Sequence, residues 1–68
     1  MLRIPVQSLN IKSIGYALGT LEIEFHDNDV YKYFHVPLHI HLAFLAAESH
    51  GTYFDDHIRN KYTFEKVI

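Results

Sequence analysis

Sixty-eight residues with a formal charge of −2 and no cysteine make one domain without disulfides or thiolate metal sites. An apolar content of 49% and an aromatic content of 15% exclude a disordered chain. The charge lacks the basic excess of proteins that live mainly on phosphate backbones, and no stretch has the apolar length of a signal peptide or membrane span. The expected location is the cytoplasm.

Ile4-Pro5-Val6 reads as an extended lead-in, because proline keeps the preceding residue out of the helical region. "NIKSIGYA" (Asn10 to Ala17) reads as a strand in which Gly15 marks a bulge or a close backbone approach. Leu18-Gly19-Thr20 supplies a turn. "TLEIEFH" then alternates, with Leu21, Ile23 and Phe25 on one face and Glu22, Glu24 and His26 on the other. Asp27 to Asp29 is a turn, and Val30 to Val36 returns as a third strand. Pro37 opens a helix from Leu38 to Ser49, mostly buried by the stripe Leu38, Leu42, Leu45 and Ala46 with Ile40, Phe44 and Ala47. Gly51 fits the left-handed position past that helix, and Thr52, with Asp55 three residues on, caps a second, shorter helix to about Asn60. Residues 62–68 are a strand or an extended tail. The expected fold is α+β: a three-stranded antiparallel meander packed against one main helix, plus a short second helix.

Ser8, Asn10-Ile11, Ile14-Gly15-Tyr16, "LEIEF", Tyr31-x-Tyr33, Val36-Pro37, Leu45, Ala47, Ser49, Gly51, Tyr53-Phe54, Ile58-Arg59 and Tyr62 form an ordered set across the chain. In that set the sequence resembles the KTSC domain. This domain occurs at the C-terminus of some lysyl-tRNA synthetases and as free-standing bacterial and phage proteins. The resemblance implies a small binding module with RNA, of tRNA-like kind, as the leading ligand class. The sequence departs from the pattern at Ala17, where aspartate often stands, at Asn28-Asp29, where glycine is common, and at Asp55, where asparagine is frequent.

The segment "YKYFH" (Tyr31 to His35) is either a base-stacking strand or the inner wall of a small core. A two-residue turn after Phe25 and His26 puts Lys32 opposite Ile23 and turns both tyrosines outward, beside Glu22 and Glu24. A three-residue loop puts Tyr31 and Tyr33 inward and Lys32 outward. Burying an unpaired ammonium costs several kcal/mol, more than the ~1.5–3 kcal/mol of leaving Phe34 partly exposed, so the tyrosines are expected inward and mainly structural.

The main basic cluster is His57, Arg59, Lys61, Tyr62 and Lys66, a phosphate-and-stack patch if the domain binds nucleic acid. The rival reading is a protein-interaction or self-association module, with a weak homodimer, in which these charges are a solvated helix face. The six histidines include no helical pair spaced four apart with a supporting acid, so no metal is expected. Ser49-His50 and Asp55 to His57 place no nucleophile against a base; neither an enzyme nor a cofactor is expected.

Overall fold

The computed structural model describes all 68 residues. Its elements are β1 (Arg3–Pro5), β2 (Ile11–Ala17), β3 (Thr20–Phe25), β4 (Val30–Tyr33), α1 (Leu38–Ala46), α2 (His50–His57) and β5 (Phe64–Lys66). The strands form one antiparallel sheet in the order β1-β2-β3-β4-β5, with both helices on one face. The fold is α+β as expected. The expected meander, β2 to β4, is the centre of a sheet of five strands rather than a sheet of three.

The two added strands are the residues read as a lead-in and a tail. Each is three residues long, too short for alternation to show, and each is held by a neighbour distant in sequence. Pro5 is tolerated because β1 is an edge strand. Gly15 proves to be the close approach: a Cβ there would stand 2.7 Å from the Leu2 carbonyl oxygen. The register irregularity of β2 lies instead between Ile11 and Ser13.

Leu18 and Gly19 form a two-residue hairpin turn with φ of 50° and 82°, closed by the Ala17–Thr20 pair. At the β3–β4 turn the loop is three residues, but one position earlier than expected. Phe25 N–H donates to Asp29 O and Asn28 N–H donates to Phe25 O (both 2.9 Å), leaving Asn28 at φ 74°. Ile23 therefore faces Tyr31 and Leu21 faces Tyr33, while Lys32 sits opposite Glu22 on the other face. The tyrosines point toward the helices. β4 ends at Tyr33 rather than Val36 because the backbone turns at His35, whose φ is 59°.

Ile11, Ile14, Leu21, Ile23 and Tyr33 from the sheet meet Val36, Phe44 of α1, and Phe54 and Ile58 at α2. Helix α1 is not the mostly buried element expected. Only Phe44 is buried, and Leu38 and Leu42 stay 56% and 53% exposed. Being apolar on nearly every side, the helix offers no unique face from which to read its orientation. Its end also differs. The chain extends at Ala47, and Ser49 caps α2 by accepting from Thr52 N–H (3.2 Å), so Gly51 lies inside α2 rather than past α1. Tyr16 O–H donates to Val36 O (2.6 Å), Tyr53 O–H donates to Ile40 O (3.3 Å), and the Tyr16 and His41 rings stack at 4.4 Å. These contacts pin both helices.

Candidate functional site: an aromatic cleft at the β4–β5 end

The helices cover the middle of the sheet and leave its β4–β5 end open. Phe64 faces Tyr33 across the last strand pair. Together with Tyr31, Phe25 and Phe54 they wall a cleft of about 440 Å³, whose rim carries Asp27, Asp29, Arg59 and Asn60. Tyr33 and Phe64 centroids lie 5.5 Å apart, Tyr31 and Phe64 5.9 Å apart, and Tyr33 meets Phe54 edge-on at 5.5 Å. Alternation in β4 puts both tyrosines on this side, but to different degrees. Tyr33 is buried at 4% exposure, Tyr31 is half-buried, and Phe64 is 56% exposed. One tyrosine thus belongs to the core, and the other forms a wall that a ligand can reach. Burial pushes the Tyr33 hydroxyl up to about 12, with Tyr31 adding to the rise and Arg59 opposing it.

The residues expected to bind nucleic acid divide. Arg59 reaches the cleft, its guanidinium 5.3 Å from the Phe54 ring centre and 3.0 Å from Asp55. Lys66 lies on β5 opposite Tyr31, and its ammonium is 3.5 Å from Asp29. Lys61 is exposed in the turn before β5. His57 instead lies against Tyr53, ring centroids 4.5 Å apart, and Tyr62 packs against the core. Two of the three cations are therefore already half-neutralised, which makes this a poor track for a run of phosphates.

Sequence reasoning missed Phe25, Phe54, Phe64, Asn60 and the two aspartates as members of one site. They come from the end of β3 and the loop after it, from α2 and the turn after it, and from the tail, and no local spacing joins these three segments. The available signal was Phe64, two residues after Tyr62, at a core-side parity that only a fifth strand gives meaning.

The other sheet face is polar. Glu22, only 7% exposed, takes a 2.6 Å ion pair from Arg3, and Glu24 accepts from Ser13 O–H (2.9 Å) with Lys12 3.8 Å away. His26 lies 2.9 Å from Ser8 O and His50 2.9 Å from Phe44 O; no three potential ligand side chains converge on a point. No helix is long and apolar enough to cross a membrane.

The family model described as the KTSC domain matches residues 7–62, leaving out the two ends of the chain that hold β1 and β5. The chain belongs to the KTSC domain family. An uncharacterized protein of Stutzerimonas stutzeri (strain A1501) is 37% identical over 57 residues, covering 81% of this chain and 80% of the relative. The crystal structure of a KTSC domain protein from Yersinia pestis superposes with a TM-score of 0.94 at 39% identity, covering 98% of this chain and 97% of that one. That coverage takes in the flanking strands, so the structural likeness extends beyond the segment matched by the KTSC model.

Proposed function

We propose that this KTSC domain is a small non-enzymatic binding module whose aromatic cleft receives a base of single-stranded RNA. The carrying observation is the open wall formed by half-buried Tyr31 and exposed Phe64 beside Arg59. Planar π-faces are sequence-tolerant stacking platforms worth ~1–3 kcal/mol per base, and the cleft has the volume of a small ligand site. The cations serve one or two phosphates next to the held base rather than a long backbone. Binding should therefore weaken only gently with salt, with a logarithmic slope of about −0.7 to −1.4.

The test is a titration of short single-stranded RNA at two salt concentrations, using wild type, Tyr31→Ala, and Arg59→Ala with Lys61→Ala. The tyrosine variant should lose ~5–150-fold in affinity, matching one lost stack. The double variant should weaken all sequences alike and flatten the salt dependence. No binding at low salt refutes the proposal.

A second reading, self-association or docking of a protein partner, is favoured by one observation. Leu38, Leu42 and Leu18 are exposed at 56%, 53% and 103% on the helix and turn remote from the cleft. Sedimentation over a wide concentration range decides it. A strict monomer at high micromolar concentration removes the homodimer.

A further inference from the structure

Aromatic walls hold any base, so whatever base identity the cleft reads must come from its polar rim. That rim is lopsided. The β3–β4 loop contributes two carboxylates, Asp27 and Asp29, which accept hydrogen bonds and do not donate them. The turn after α2 contributes Arg59 and Asn60, both donors. The loop geometry keeps acceptor capacity free. Asp27 Oδ1 is taken by Asp29 N–H (2.9 Å) and Asp29 Oδ2 lies 3.5 Å from Lys66 Nζ, which leaves Asp27 Oδ2 and Asp29 Oδ1 without a protein partner.

We propose that the cleft prefers guanine among the four bases, a specificity that rests on the RNA-binding reading above. Guanine alone carries two adjacent N–H donors, N1–H and the N2 amino group, which the free Asp27 Oδ2 and Asp29 Oδ1 accept, one each. Its neighbouring O6 is an acceptor for the Asn60 amide donor, which leaves Arg59 to the phosphate. Adenine and cytosine each offer a single amino donor beside an acceptor nitrogen, which would face a carboxylate lone pair. Uracil offers one N–H between two carbonyls, each of which would meet the carboxylate's charge. The same carboxylates repel phosphates, which keeps the backbone on the side of Arg59 and Lys61 and the base edge toward the loop.

The experiment measures binding of the heptamers UUUGUUU, UUUAUUU, UUUCUUU and UUUUUUU, and of the first with inosine for guanosine. Guanosine should bind about tenfold tighter than the other three, the usual discrimination of a good bidentate contact. Inosine, which keeps N1–H and O6 but lacks the amino group, should fall between. The variant carrying Asp27→Asn and Asp29→Asn keeps a side-chain oxygen to cap the turn, and should erase the preference, so that the guanosine and all-uridine heptamers bind with equal affinity. Equal affinity for all four heptamers overturns the guanine preference and leaves RNA binding standing. A preference that survives the double substitution also overturns it. No binding to any heptamer overturns both readings.

Discussion

Replacing Tyr33 with alanine probes how β4 faces the helices. Tyr33 is 4% exposed, and its ring lies 5.5 Å from both Phe54 and Phe64. Removing a buried aromatic ring costs ~3–5 kcal/mol. A domain of this length has roughly 3–10 kcal/mol of total stability, so Tyr33→Ala should lose a large share of it. Half-buried Tyr31 loses less, about 1–2 kcal/mol, or ~4–16 °C of melting temperature in a domain this size. Lys32 sits on the other face opposite Glu22 and Glu65, and its alanine variant should stay within ~0.5 kcal/mol of wild type. Urea titrations of the three variants followed by far-ultraviolet circular dichroism give the order. A Tyr33→Ala protein as stable as wild type, or a Lys32→Ala loss larger than the Tyr33→Ala loss, would refute the inward placement.

Leu18 occupies a left-handed turn position at φ 50° and is fully exposed, so Leu18→Asn should relieve local strain and create an Asn-Gly turn. Thermal melts should show a gain of about 0.5–1 kcal/mol; no gain would mean that the Leu18 backbone is unstrained. His41 stacks on Tyr16, its Nδ1 is buried without a partner, and burial lowers its pKa from the ordinary 6.5. The unfolded chain therefore binds a proton at this position more readily, and stability should decline as pH falls below about 6.5 toward the lowered value. His41→Phe, which keeps the stack and removes the titration, should flatten that part of the stability–pH curve. An unchanged curve would contradict the assignment.

What could be read from the chain alone follows its local periodicity. "LEIEF" alternates because one face is core and the other carries Glu22 and Glu24, so the central hairpins are written in the sequence. The inward tyrosines were legible too, since any register that placed Lys32 opposite Ile23 would bury a lysine. The outer strands were not. Pro5 and Phe64 gain their meaning from partners on β2 and β4 that no three-residue pattern reveals. The same holds for the cleft. Tyr31, Tyr33 and Arg59 stood out by residue type, whereas Asp29 and Asn60 join them only after the sheet closes over the β5 edge.

The most direct test of the cleft is a chemical-shift map of the backbone amides during titration with the all-uridine heptamer. Binding at this site predicts that the largest changes cluster at Tyr31, Phe64, Arg59 and Asn60, with the amides of Leu38 and Leu42 unmoved. Changes centred on α1, or spread along the Glu22–Glu24 face with the cleft silent, would contradict it.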